Sequence, residues 1–178
     1  MTASDDKVVL RGRDLTVDDV ARVARKGARV TISKDARMHE RVAGSHALVA
    51  RLVEQGERIY GVTTGFGGRS HTCVSADDAS ALQENLLWFL KSGAGARLPI
   101  ADVRASMLLR ANSLLCGVSG IRMELIERFE TLLNNGVTPH VRELGSIGAS
   151  GDLVPLAAIA GAVIGLDNAF RVDFQGKE

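Results

Sequence analysis

"GSIGASGDLVPLAAIAGAVIGL", Gly145–Leu166, joins a glycine-rich turn to the most apolar segment of the chain. From Leu153 onward the run carries no charge and no strongly polar side chain. A helix that is apolar all round has to be buried all round. The run therefore predicts a helix inside a helical assembly, and the fold class follows as mainly α. Pro155 falls where a first helical turn tolerates a residue without an N–H. The turn before it needs its own explanation. If the backbone bends at Ala149-Ser150-Gly151, the Gly151 nitrogen is pressed onto the Ala149 carbonyl. An amide nitrogen is a poor nucleophile and reacts only when so held. Glycine removes the Cβ that would block the approach, and the strain must be held by surrounding structure. Loss of water from Ser150 then leaves an exocyclic double bond on a five-membered ring, an electrophile made from the chain itself. Asp152 stands beside it to help move the serine proton. The partial positive charge of the helix N-terminus favours negative charge developing there. On spacing alone, the same residues also suit an ordinary helix N-cap at Ser150 or Asp152.

The rest of the chain narrows the function classes. Its 178 residues suit one domain with a sizeable core. A formal net charge of +1 makes no electrostatic case for nucleic acid or an anionic membrane, and one Trp, one Tyr and five Phe offer no base-stacking platform. No apolar run reaches the roughly 20 residues of a membrane span. Cys73 and Cys116 have neither metal-ligand spacing nor a disulfide framework and are expected as reduced, mostly packed thiols. His39, His46, His71 and His140 form no ligand cluster and read as surface or loop residues, so no metal is expected. "MTASDDKVVL" has no secretory apolar region. A reducing cytoplasm is the simplest location, and residues 1–6 read as a disordered tail.

Local signals place the elements. "KVVL" and "ARVTIS" read as strands around a helix over "VDDVARVARKG", with Thr16 as N-cap, Asp19 in a box-like position and Gly27 as the stop. Helical spacing runs from about Lys34 to Gln55. "RIYGV" reads as a brief strand entering the loop "TTGFGGRSHTCVS". Ser75 starts a helix reaching about Lys91, Pro99 opens another, and a further one covers about Met123 to Leu133. The strands are thus expected near the N-terminus. The loop glycines Gly65, Gly67 and Gly68 lack the spacing of a nucleotide-binding turn.

Two stretches together carry a resemblance. "GSIGASGDLVPLA" and "IYGVTTGFGG" (Ile59–Gly68) are similar, in order and content, to the signatures of the aromatic amino acid ammonia-lyase family, which includes histidine, phenylalanine and tyrosine ammonia-lyases and related aminomutases. The likeness runs from "LTVDDVARVARKG" to "VDFQGKE" and is strongest toward the cyanobacterial-type bacterial phenylalanine ammonia-lyases. It implies the helical, fumarase/aspartase-like bundle of that family. It also implies that Ala149-Ser150-Gly151 cyclises to methylidene-imidazolone, with neither metal nor nucleotide as cofactor. Tyr60, on its glycine-rich loop, becomes the general base. A phenol ordinarily keeps its proton at neutral pH, so that role demands close positioning.

The resemblance also marks substrate-binding positions at Gly67, Phe89, Leu90 and Leu153. Histidine-selective members carry Ser-His where this chain has Phe89-Leu90, and tyrosine-selective members tend to carry His. An apolar pair suits a phenyl ring. The implied reaction is conversion of L-phenylalanine to trans-cinnamate and ammonia, in a full-length homotetramer. Tyrosine or histidine ammonia-lyase and phenylalanine 2,3-aminomutase remain alternatives. Family members are several times longer, and their carboxylate-binding arginine, asparagine, glutamine and second tyrosine lie downstream of anything present here. The chain is therefore expected as a single, incomplete N-terminal domain over 1–178, inactive alone. A truncated, non-catalytic assembly module is the alternative of another class.

Overall fold

The computed structural model describes residues 7–145 and 153–174. Within them the fold is mainly helical. β1 (Lys7–Leu10) and β2 (Arg29–Ile32) pair in parallel, Lys7 opposite Arg29. Between them runs α1 (Val17–Lys26), whose start and stop are those its sequence predicts. Thr16 Oγ1 accepts from Asp19 N (3.1 Å), and the Asp19 carboxylate accepts from Thr16 N (3.1 Å) and from its hydroxyl (2.8 Å). These bonds hold the Asp19 carboxyl below the ordinary aspartate range, the Thr16 hydroxyl contributing most. Gly27 closes the helix in the left-handed conformation.

α2 (Ala36–Glu54) and α3 (Ala76–Phe89) flank the loop that carries Tyr60. α4 (Ile100–Leu114) lies at the centre, burying Val103, Met107, Leu108 and Ala111. α5 (Met123–Asn134) packs beside it through Ile126, Phe129 and Leu133. α6 (Leu153–Ile164) adds Ile159 and Val163 to the same core.

Polar side chains fasten the strands and helix ends to this core. Asn134 takes the place of a third strand on β2, accepting from Val30 N and donating to Val30 O, both at 2.8 Å. Asn112 Oδ1 accepts from Arg11 N (3.2 Å) and Gly12 N (3.0 Å) just past β1. Arg104, 7% exposed, donates to Val23 O (3.1 Å) and Leu133 O (3.1 Å). Those carbonyls lie in the last turns of α1 and α5, where intrahelical partners run out. Burial pushes the Arg104 guanidinium down from its ordinary range, and the negative ends of two helix dipoles oppose that cost. Arg128 does the same for α6, donating to Ile164 O at 3.1 Å.

Several expectations are corrected. Strands are not confined to the N-terminal region: β3 (Ala94–Arg97) pairs antiparallel with β5 (Arg142–Leu144), and β4 (Val137–Pro139) with β6 (Val172–Phe174). These pieces are too short to show periodicity, and their pairing is non-local. α6 is not buried all round by the described residues. Val154, Ala157, Ile159, Gly161 and Val163 are buried, whereas Leu153 and Ile164 are exposed, because α3, α5 and β4 cover only one side. Cys73 and Cys116 are free and exposed, not packed. Cys116 follows the end of α4 and donates to Gly12 O, while Cys73 sits in the loop opposite Thr64. His39 and His46 lie on α2, hydrogen-bonded to Ser33 O (2.8 Å) and Gly120 O (3.0 Å). No helix of the described residues is long and apolar enough to cross a membrane.

Candidate functional site

The Tyr60 segment is a turn, not the strand its apolar residues suggested. Val62 N and Thr63 N both donate to Ile59 O at 3.0 Å. The cause is Thr63, whose hydroxyl accepts from Ile59 N (2.8 Å) and donates to Glu57 O (2.6 Å). These side-chain bonds take the backbone groups that a strand would pair. Farther on the loop closes on itself. Gly65 N donates to Thr72 O (3.0 Å) and Val74 N to Thr63 O (2.8 Å). Thr63 and Thr64 are buried beneath it, and Gly67–Arg69 form a single 3₁₀ turn. Such a loop is packed by its own residues.

Tyr60 stands on this platform, 66% exposed. Its Oη accepts the Gly67 N–H at 3.0 Å. Its ring meets Phe66 edge-on, centroids 6.4 Å apart at 87°. Gly61 makes this possible. Its φ is +71°, and a Cβ there would lie 2.8 Å from the Phe66 ring. The Gln83 side chain of α3 donates to Gly61 O, tying the loop to the next helix.

Two of the sequence-predicted residues, Tyr60 and Gly67, are thus in direct contact. Phe89, Leu90 and Leu153 stand at the end of α3 and the start of α6. Phe89 is the last residue of α3 and Leu90 its cap; Phe89 is 79% exposed. Leu153 opens α6 and is also exposed. Ala149, Ser150, Gly151 and Asp152 lie outside the described residues. The two described flanks of that segment meet: a Cβ on Gly145 would lie 3.1 Å from Pro155 Cδ and 3.2 Å from Val154 Cβ.

Leu90 and Val154 also share a cleft of about 290 Å³ with Ala158 and Phe170. Phe170 is wedged against Trp88, centroids 5.3 Å apart, with Lys91 Nζ 5.7 Å from its ring. Around the cleft stand Arg97, Arg142 and Arg171, with His140 3.3 Å from an Arg97 nitrogen. Apolar walls with a positive rim suit an organic anion. Sequence reasoning missed this cleft because its residues come from separate segments, gathered by the packing of α3 on α6 and by the β3–β5 and β4–β6 pairings. Among the described residues no three His, Cys, Asp or Glu stand together as metal ligands.

Comparison with known proteins bears on the same elements. The aromatic amino acid lyase family model matches residues 15–178. The chain is 58% identical to a phenylalanine ammonia-lyase of Nostoc punctiforme, over 99% of this chain and 31% of that protein. Among solved structures, the ergothioneine-degrading ergothionase of Treponema denticola superposes with a TM-score of 0.87 at 33% identity, over 96% of this chain and 33% of its own. A phenylalanine aminomutase of Pantoea agglomerans gives 0.83 at 33% identity, over 96% and 31%. The chain spans about a third of the length of the relatives it matches. Because the match takes in the Tyr60 loop, α3 and the passage into α6 together, the chain belongs to the aromatic amino acid lyase family.

Proposed function

We propose that the full-length protein is a phenylalanine ammonia-lyase, converting L-phenylalanine to trans-cinnamate and ammonia. The observation that carries this reading is the 58% identity to the Nostoc punctiforme enzyme over 99% of this chain. Ala149, Ser150 and Gly151 would form the methylidene-imidazolone, whose chemistry is to make the substrate amine a better leaving group. The contact between Gly145 and Pro155 supports this assignment, since it ties together the flanks of the segment that has to bend. The N-terminus of α6 begins directly after that segment and favours negative charge there.

Tyr60 takes the β-proton of the substrate on Oη. The phenol oxygen is placed by the Gly67 amide and the Phe66 ring, which leaves the exposed side of Tyr60 to the substrate. Loss of that proton and of the amine leaves the cinnamate double bond. Phe89 and Leu90 present apolar side chains to the ring, and Leu153 borders the same place. The exposure of Phe89, Leu153 and Ile164 supports an assembly, proposed as a homotetramer, in which further helices cover them.

The test is product analysis with the full-length protein and L-phenylalanine, L-tyrosine and L-histidine in parallel. Cinnamate with an equal amount of ammonia from phenylalanine is the expected result. A preference for tyrosine or histidine would overturn the substrate. No product from any of the three would favour the non-catalytic assembly module. The likeness to the Pantoea agglomerans enzyme favours a second reading, phenylalanine 2,3-aminomutase; accumulation of β-phenylalanine would establish it.

A further inference from the structure

We propose that Gln83 is a positioning residue, which holds the Tyr60 loop in register with α3 through its amide bond to Gly61 O. The proposal rests on the reading of Tyr60 as the general base. Among the described residues, no long-range backbone pairing holds Tyr60. Its neighbours Ile59, Thr63 and Thr64 bond within the loop. Gly65 and Val74 close the loop on itself, and Arg58 donates to His71 O within it. These bonds define the shape of the loop, and Glu57 N, donating to Leu52 O (2.9 Å), ties its start to α2. Gln83 ties it to α3, spanning 22 residues of sequence to bond the carbonyl of the residue after Tyr60.

The acceptor is well chosen. Gly61 is in the left-handed conformation and has Phe66 lying against its α-carbon. Phe66 in turn meets the Tyr60 ring. A shift of the Gly61 carbonyl is therefore passed to the phenol through one covalent neighbour and one ring contact. The donor is equally informative. Gln83 and Leu90 are seven residues apart, which places them on one stripe of α3, about 10 Å apart along the axis. One rigid helix thereby holds the base loop from its middle and ends at the apolar Leu90 wall of the cleft. A site needs its reacting group held to a fraction of an ångström, and misplacement by about 1 Å costs on the order of 10²-fold in rate.

The experiment uses the full-length enzyme with four variants: Gln83→Leu, Gln83→Glu, Tyr60→Phe and the double variant Tyr60→Phe/Gln83→Leu. Steady-state kinetics and amide hydrogen exchange of residues 59–74 are measured on each. Tyr60→Phe should lose about 10²–10⁴ in kcat, the usual worth of a general base. Gln83→Leu should lose about 10- to 100-fold in kcat with KM little changed, and loop amides should exchange faster. The double variant should be no slower than Tyr60→Phe alone, because Gln83 acts through Tyr60. In Gln83→Glu the carboxylate cannot donate at neutral pH, so loop protection should be lost there and return in acid, where the protonated acid donates to Gly61 O. Wild-type loop exchange in Gln83→Leu would overturn the anchoring. Rate losses that add in the double variant would assign Gln83 to general stability and overturn the positioning role. Should Gln83→Leu fail to fold, the pH dependence of loop exchange in Gln83→Glu decides: protection that does not return in acid overturns the proposal. If Tyr60→Phe keeps its kcat, the base reading fails, and exchange in the Gln83 variants separately decides the anchoring.

Discussion

Phe89 is almost fully exposed in the fold yet stands where substrate choice is proposed to be made. The two facts together yield a sharp test. Phe89 is not part of the core of the described elements, so Phe89→His should leave their packing intact. Its effect on substrate should be larger. A phenolic hydroxyl left unpaired against an apolar wall costs about 1–3 kcal/mol, or about 5- to 150-fold in kcat/KM. Histidine supplies a partner, so the phenylalanine-to-tyrosine ratio should fall by a comparable factor, measured as cinnamate and coumarate formed side by side. An unchanged ratio would remove Phe89 from the pocket. Ser150 can be tested by mass. Cyclisation removes two waters from the Ala149-Ser150-Gly151 peptide, and Ser150→Ala cannot lose the serine water. That variant should keep its fold and lose nearly all activity. An unmodified triad in the folded full-length parent would remove the electrophile from the mechanism.

Among the elements, α1 shows how much of a helix can be written into a dozen residues. Thr16, Asp19 and Gly27 set both ends without help from the rest of the fold. Thr16→Ala should cost about 1 kcal/mol by chemical denaturation. The Asp19 part of that contribution has a defined pH window. Its folded-state pKa is depressed, so the stabilisation is present above the unfolded aspartate value and is lost as pH falls through the lower, folded one. The gap between parent and Thr16→Ala should therefore narrow in strong acid. The helix ends served by Arg104 are different in kind. Nothing near Val23 or Leu133 in sequence announces that an arginine 81 residues from Val23 will meet both. Arg104→Met should leave the buried Val23 carbonyl without its Arg104 donor and Leu133 O with its long bond from Gly136 N (3.4 Å), at about 1–3 kcal/mol in all. Arg104→Lys should recover only part, because one ammonium lacks the planar fork that reaches both. Equal stability of the two variants would show that the paired geometry is unimportant.

For the molecule as a whole, the critical joint is where α3, α6 and the segment before β6 converge on Phe170. Gly161 is buried in α6, and a Cβ added there would fall 2.3 Å from the Phe170 ring. That ring is already held against Trp88 and Lys91. Gly161→Ala has to displace it, and overpacking of this sort costs about 1–3 kcal/mol. The expected result is a lower Tm of the full-length protein together with altered kinetics, because Phe170 and Leu90 line the same cleft. A lower Tm with unchanged kinetics would separate the cleft from the reaction.

Much of this protein is legible in one dimension because the decisive signals are local. The mainly helical class, the caps of α1, the Ser75 start of α3 and the apolar run of α6 all follow from residues within a few positions of each other. Tyr60 and the Ala149-Ser150-Gly151 triad stand out for the same reason, each inside one continuous motif. What the sequence could not determine is everything that depends on pairing across long separations. The strands β3 to β6, the Gln83 tie to Gly61 and the Arg104 caps are each a choice among many partners. A hydrogen bond carries no periodicity, and a hydroxyl or amide suits several acceptors equally well. Which one it meets is decided only when the apolar faces of the helices have packed and brought distant segments together.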